Sequence, residues 1–417
     1  MTTRLYGIVW RWHFLAGIAA CPVLVVLALT GALYAFQDEL ERWMKADLFD
    51  VVPAGERLAI DRVVAALPPS CKPAAVLVDP DPARSVGVMC APVDEVQRRW
   101  FIDPYRGATI GSDVWSHSFV GVVFQLHWDL LLGERGRLIV EWATSWACLV
   151  MASGAYLWWP RGRRAGTWWP RRELSGRQRL RDLHSIAGAY ALPVLLAIAA
   201  TGLCWTRLAG EQRWERIADD AAHETWEKPP HSAAARGSRI GVAAALAAAG
   251  ITAREPHVIY LQLPSAPDDA YTIYRYSIGH ESPSEASSTW IDAYTGKVLR
   301  HIGWSELSTM GKVSNAFYAI HIGAIASLAG RLAALVAAVI LAGLCITGPW
   351  MWWKRRPRRA LGIPPPPRRT PWPLFALLAC LGWLLPMVGY TLIAVAAFEL
   401  GLWVIRRLRA RREGETA

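Results

Sequence analysis

Two stretches of this chain repeat one another. "HFLAGIAACPVLVVLALTG", His13 to Gly31, and "HSIAGAYALPVLLAIAATG", His184 to Gly202, agree at ten of nineteen positions across an offset of 171 residues. Each is apolar enough to cross a hydrocarbon core of roughly 30 Å as a helix, and each opens on a histidine. A membrane helix written twice restricts the fold severely, because the surroundings of one copy must also accommodate the other.

Apolar runs at about 14 to 36, 138 to 159, 184 to 206 and 332 to 353 supply four spans. A fifth tract, 372 to 405, is too long for one ordinary span; Pro386 near its middle reads as the break of a two-helix hairpin, with a single long tilted helix as the alternative. With 53% hydrophobic residues, 23 Trp and 19% charged residues among 417, the chain is an integral membrane protein. The net charge of +11 does not point to nucleic acid, because its cationic residues crowd beside the spans. Arg161, Arg163, Arg164, Arg171, Arg172, Arg177, Arg179 and Arg181 fill one short loop; Lys354 to Arg369 and Arg406 to Arg412 fill two other segments. An excess of Lys and Arg marks cytoplasmic loops. Arg4 and Arg11 place the N-terminus on the same side, so the first helix reads as a retained anchor rather than a cleaved signal. The expected location is a bacterial inner membrane, multi-pass, with both termini in the cytoplasm.

The expected segments are helix 1 (1–37), an external domain (38–126), an interfacial segment with helix 2 (127–160) and a basic loop (161–183). Helix 3 (184–206), a second external domain (207–315), helix 4 (316–353), a basic loop (354–371), the C-terminal hairpin (372–405) and a tail (406–417) follow. Cys21, Cys148, Cys204, Cys345 and Cys380 fall in spans as small apolar residues. Cys71 and Cys90 lie outside, flanking "VLVDPDPARSVGVM", which reads as two short strands around a turn; an oxidising compartment favours a disulfide between them.

The repeat extends beyond the first helices. "FIDPYRGATIG" at Phe101 is matched by "WIDAYTGKVLR" at Trp290, each a strand, a tight turn with Gly107 or Gly296, and a second strand. His127, Gly136, Arg137, Leu138, Gly154, Trp158 and Trp159 are matched by His321, Gly330, Arg331, Leu332, Gly348, Trp352 and Trp353 at an offset of 194. Each half therefore reads as helix, external α+β domain, helix. The predicted fold is an α-helical integral membrane protein built as a tandem duplication with two α+β external domains and an added C-terminal hairpin. Two crossings per half make the halves parallel, packed about a pseudo-twofold axis along the membrane normal.

Four of the ten histidines belong to the repeat. His13 and His184 share the cytoplasmic depth, His127 and His321 the external depth, and a twofold axis brings each pair together. Intramembrane histidines are functional candidates by default, and two of them on facing helices are the arrangement that ligates a b-type haem axially. Gly17 and Gly188 lie one turn after their histidines, followed by Ala20 and Ala191, and would clear that face for a porphyrin. The alternatives are interhelical hydrogen bonds for the histidines and close helix packing for the glycines. His117 competes with His127 as a ligand, without a histidine counterpart; His223, His231, His257, His280 and His301 read as surface residues. No CxxC, HxxxH or HExxH cluster and no nucleotide-binding loop is present, so any electron donor is a separate protein or a membrane quinol.

The unit "RWHFLAGIAACPVLVVLALTGALYAF", then "FIDPYRGATIG", "LHWDLLLGERGRLIV" and "SGAYLWWPRG", resembles the PepSY-associated transmembrane family over roughly residues 5 to 405. The resemblance implies PepSY-like external domains and an association with siderophore and iron uptake. It also implies two b haems on His13, His184, His127 and His321, and transmembrane electron transfer that reduces an external ferric siderophore or other ferric chelate and releases ferrous iron. The fused flavodoxin or reductase module of some relatives has no counterpart here. The rival readings are a membrane scaffold whose PepSY-like domains bind or modulate proteases without redox activity, and a permease; the scarcity of span carboxylates beyond Glu141 and Glu399 argues against the latter.

Overall fold

The computed structural model describes residues 2–159, 166–214, 229–233, 237–252, 255–280, 282–357, 362 and 372–415. Arg161, Arg163 and Arg164, Arg358, Arg359, Arg368 and Arg369, and His223 lie outside the described residues, as do the side chains of His280, Glu399 and the arginines from Arg406 to Arg412. Two compact units form, one from Met1–Leu29, Trp128–Glu215 and Ala337–Ala417, the other from Thr30–His127 and Arg216–Val336. Among the described residues four helices are long and apolar enough to cross a membrane: Leu5–Tyr34, Glu134–Trp158, Gly176–Trp205 and Ala324–Arg355. Their mean hydropathies are 2.3, 1.3, 1.9 and 2.3.

The helices, in chain order, are α1 (Thr2–Tyr34), α2 (Gln37–Met44), α3 (Ala46–Phe49), α4 (Ile60–Ala65), α5 (Phe119–Asp129), α6 (Glu134–Trp158) and α7 (Gly176–Gly202). They continue with α8 (Val242–Ala248), α9 (Thr309–His321), α10 (Ser327–Arg355), α11 (Trp372–Leu384) and α12 (Pro386–Glu415). In the first unit α1 buries Ala20 and Leu24 against Ala143 and Ala147 of α6 and Cys345 of α10. Likewise α7 buries Ala191 and Leu195 against Ala337 of α10. Small residues dominate these contacts because lipid offers no hydrophobic drive for helix association, and close backbone approach takes its place. Pro22 and Pro193 lie inside α1 and α7 without ending them, as neighbouring helices and local adjustment allow in a membrane span.

The C-terminal tract is two helices, broken at Leu385. The turn is tight: a Cβ on Gly382 would stand 2.9 Å from the Gly389 Cα. Helix α12 docks on α6, where the Trp142 and Trp146 indole N–H groups both donate to Thr391 Oγ1, at 3.1 and 3.3 Å. Glu141 of α6 is wholly buried. It accepts the backbone N–H groups of Leu208 (2.9 Å) and Ala209 (3.0 Å) at the start of a π-helical turn, Arg207–Trp214, and so caps donors that a helix start leaves open.

The second unit is organised by one eight-stranded antiparallel sheet. Its strands are β1 (Pro73–Val78), β2 (Val86–Cys90), β3 (Arg99–Ile102), β4 (Thr109–Asp113), β5 (Val258–Gln262), β6 (Tyr271–Tyr276), β7 (Ser287–Ile291) and β8 (Val298–Ile302). Their order is β4-β3-β2-β1-β5-β6-β7-β8. The segment between the first and second spans and the segment between the third and fourth each supply a four-stranded meander. The meanders join where β1 meets β5, with Ala75 opposite Gln262 and Val78 opposite Ile259. The two segments expected as separate domains thus share one sheet. Val76, Val88, Ile102, Ile259, Leu261, Ile273 and Ile291 form its core together with Val63 of α4 and Val242 and Ala245 of α8. Asp61 of α4 also caps α8, accepting from Val242 N at 2.6 Å and Ala243 N at 3.2 Å. Cys71 and Cys90 are disulfide-bonded, with Cα atoms 5.2 Å apart, and clip the start of β1 to the end of β2.

The two matched hairpin turns owe their shape to Asp103 and Asp292. Asp292 accepts backbone N–H groups from Ala233 (2.7 Å), Tyr294 (2.9 Å) and Thr295 (2.8 Å), while Gly296 takes the left-handed φ of +71° that closes the turn. Burial works to raise the Asp292 carboxyl, but these donors outweigh it and hold it at about 2. A carboxylate held low stabilises the fold fully above its ordinary value of 3.8 and loses that contribution as pH falls through about 2. Asp292→Ala should cost about 2 kcal/mol locally, read as roughly thirtyfold faster hydrogen exchange of the 287–302 amides in the full chain at neutral pH. In the unsubstituted protein the same amides should lose protection only below about pH 4.

Candidate functional site

His13 and His184 meet matched partners within the first unit. His13 Nδ1 lies 3.0 Å from the Val150 carbonyl and 3.0 Å from Ser153 Oγ on α6. His184 Nδ1 lies 3.0 Å from Thr347 Oγ1 on α10. Ser153 and Thr347 stand at the 194-residue offset, as do the carbonyls to which their hydroxyls donate, Val150 (2.9 Å) and Leu344 (3.3 Å).

At His13 that arrangement settles the tautomer. A carbonyl only accepts, and each hydroxyl has spent its single proton on the carbonyl one turn back. Beside the Val150 carbonyl, His13 Nδ1 must carry the hydrogen, which leaves its Nε2 with a lone pair available, the form in which a neutral histidine binds a metal. Two repeated glycines let the rings lie against the opposite helices: a Cβ on Gly154 would stand 3.2 Å from His13 Cε1, and one on Gly348 3.6 Å from His184 Cε1.

The glycines chosen from sequence behave differently from each other. A Cβ on Gly17 would have nothing within 4 Å, whereas one on Gly188 would meet the Leu344 side chain at 3.6 Å, a packing contact between α7 and α10. Ala20 and Ala191 are buried in helix contacts rather than facing a free surface.

His127 and His321 come together in the second unit. They end the short helices α5 and α9, and their ring centroids are 6.2 Å apart with planes inclined at 52°. Thr30 Oγ1 of α1 lies 3.1 Å from His127 Nδ1, and a Cβ on neighbouring Gly31 would be 2.9 Å from His127 Cε1. His117 sits in a separate 3₁₀ turn, Trp115–His117, exposed to solvent. The histidine that faces His321 is His127.

This spacing can be tested against a shared metal. Two imidazoles bound to one ion through bonds of about 2 Å place their nitrogens about 4 Å apart and their ring centres about an ångström further out on each side, close to the 6.2 Å observed. By donor type and spacing His127 and His321 fit a bis-histidine haem, and His13 and His184 offer the same donor type. Among the described residues no group of three or more His, Cys, Asp or Glu gathers as a metal site. The remaining described histidines have local polar partners: His301 Nδ1 lies 2.8 Å from Thr289 Oγ1, His257 lies between Glu255 (2.6 Å) and Glu285 (3.2 Å), and His231 is 3.3 Å from Asp268.

Sequence reasoning alone does not assign roles to Ser153, Thr347, Thr30, Gly31, Gly154 and Gly348. The available signal was the offset itself, since Ser153 and Thr347 each fall one residue before a glycine already recognised as repeated. Gly136 and Gly330, also repeated, have a structural reason. Each lies under the turn that leaves its histidine helix, where a Cβ would stand 1.6 Å from the Asp129 carbonyl oxygen or 2.3 Å from that of Gly323. Gly136→Ala or Gly330→Ala should therefore displace backbone and sharply reduce the yield of folded protein in membranes. Gly7→Ala, with nothing within 4 Å, should leave the yield unchanged.

A family model described as "PepSY-associated TM region" matches residues 10–355. No curated protein matches the chain.

Proposed function

The chain belongs to the PepSY-associated transmembrane family, and from that premise we propose that it is a tandemly duplicated di-haem b reductase of a bacterial inner membrane. It would take electrons from a cytoplasmic reductase or from membrane quinol and deliver them to a ferric siderophore or similar ferric chelate outside, which then gives up ferrous iron. The observation that carries this reading is the Nε2 lone pair that the Val150 carbonyl leaves on His13, with His184 held by the matched hydroxyl of Thr347 on a second helix.

Bound haem iron would supply one-electron transfer at each pair. His13 and His184 would hold one group and His127 and His321 the other. Ser153, Val150 and Thr347 fix the imidazole orientation and proton position of the first pair. Thr30 holds the His127 ring from its Nδ1 edge. In this reading the sheet supplies the external surface on which a chelate docks.

The test is the visible spectrum of the purified full chain with and without dithionite. A Soret band and a sharpened reduced α-band at about two haems per chain are expected. A colourless, metal-free preparation from haem-supplied cells would overturn the reductase reading and favour the PepSY scaffold.

His13→Ala or His184→Ala should remove one haem and spare the other; loss of neither would refute the pairing. Removing the partner that orients a ligand typically lowers metal affinity ten- to a hundredfold. Ser153→Ala together with Thr347→Val should therefore weaken retention of one haem by about that factor and shift its midpoint potential. The haem on His127 and His321 should be unaffected.

A further inference from the structure

A cleft in the Arg-rich segment between α6 and α7 is lined by Trp169, Pro170, Arg171, Arg172 and Arg179. We propose that it holds the phosphate of an anionic glycerophospholipid headgroup. Positive-inside charge requires arginines on one side of the membrane but no order among them, and this segment is ordered in detail.

Arg171 is clamped bidentately on Asp182, at 2.8 and 2.9 Å. Asp182 is buried, with 3% of its side chain exposed. Gly166, at a φ of +77°, closes over the pair so tightly that a Cβ would stand 2.8 Å from Arg171 Nε and 3.0 Å from Asp182 Oδ2. The Trp158 indole donates to the Thr167 carbonyl at 2.9 Å and meets Trp168 edge to face at 4.8 Å; Tyr190 Oη donates to the Trp168 carbonyl at 3.2 Å.

Asp182 thus offsets the charge of Arg171. Arg172 and Arg179 open on the same cleft, and among the described residues neither has a carboxylate partner. Two guanidiniums without a carboxylate partner among the described residues, beside a third, match the charge and forked geometry of a phosphate.

The surroundings choose between a lipid phosphate and a soluble one. Trp168, Trp169 and Tyr190 are 51%, 77% and 54% exposed, amphipathic rings of the kind that settle at headgroup depth. Below the cleft, Leu183 (44% exposed) and Tyr190 follow Arg179 on one face of α7, since positions four and eleven residues on fall on the same stripe of a helix. An acyl chain can lie along that stripe, and a soluble phosphate has no use for it. Basic pockets beside membrane helices on the cytoplasmic side bind anionic headgroups by this combination.

The test is native mass spectrometry of the full chain in detergent with an equimolar mixture of phosphatidylglycerol and phosphatidylcholine. The unsubstituted protein should retain phosphatidylglycerol preferentially. The Arg172→Gln/Arg179→Gln variant should retain about tenfold less, at unchanged yield, and Leu183→Ser should weaken retention without affecting binding of inorganic phosphate. Equal retention of the two lipids by the unsubstituted protein, or equal phosphatidylglycerol retention by the double variant, would overturn the proposal. So would a double variant that loses inorganic phosphate binding while keeping the lipid, which would give the cleft to a soluble anion.

Discussion

An imidazole held among apolar helices must satisfy its N–H, because an unpaired polar group in that setting costs several kcal/mol. Much of the transmembrane unit can be understood as the answer to that requirement at His13 and His184. A Ser or Thr hydroxyl is a suitable partner in a membrane helix, since it donates to its own backbone one turn back and remains an acceptor. Ser153 and Thr347 do this at matched positions. The following residue in each case is Gly154 or Gly348, which lets the ring lie against the helix that holds it. At His13 the Val150 carbonyl and the Ser153 hydroxyl satisfy the donor and leave the other ring nitrogen with its lone pair.

The sheet-bearing unit solves a different problem. A four-stranded meander ends in a strand whose backbone donors and acceptors face outward. Here the exposed edge of one meander, β1, is closed by β5 of the other. The joint is supported on one face by the shared core under α4 and α8 and by Asp61, a residue of one segment that caps a helix of the other. The Cys71–Cys90 bond sits at the start of the strand that forms the joint.

Much of this was legible in the sequence, for identifiable reasons. The membrane helices follow from long apolar runs, the break before Pro386 from the proline, and the turns at Gly107 and Gly296 from Asp and Gly at fixed spacing. The meeting of His127 with His321 follows from the repeat. The fusion of two meanders into one sheet was not legible, because β1 and β5 carry the same apolar alternation whether their edges meet or remain open. Nor were the partners of His13 and His184, since a hydroxyl in a span reads as a small residue until the facing helix is in place. Nor was the contact at Gly188, where a Cβ would meet the Leu344 side chain at 3.6 Å, because only the facing helix brings that leucine there.

The β1–β5 seam has a kinetic side as well. Strand addition between separate molecules depends on their concentration, whereas two strands on one polypeptide meet at an effective concentration set by the intervening chain, commonly in the millimolar range for short flexible connections. In this protein the connection includes membrane helices, which further limit the volume the strands must search. The seam can therefore close before a neighbouring chain competes for it, and the edge best able to recruit a second copy is occupied by its own polypeptide.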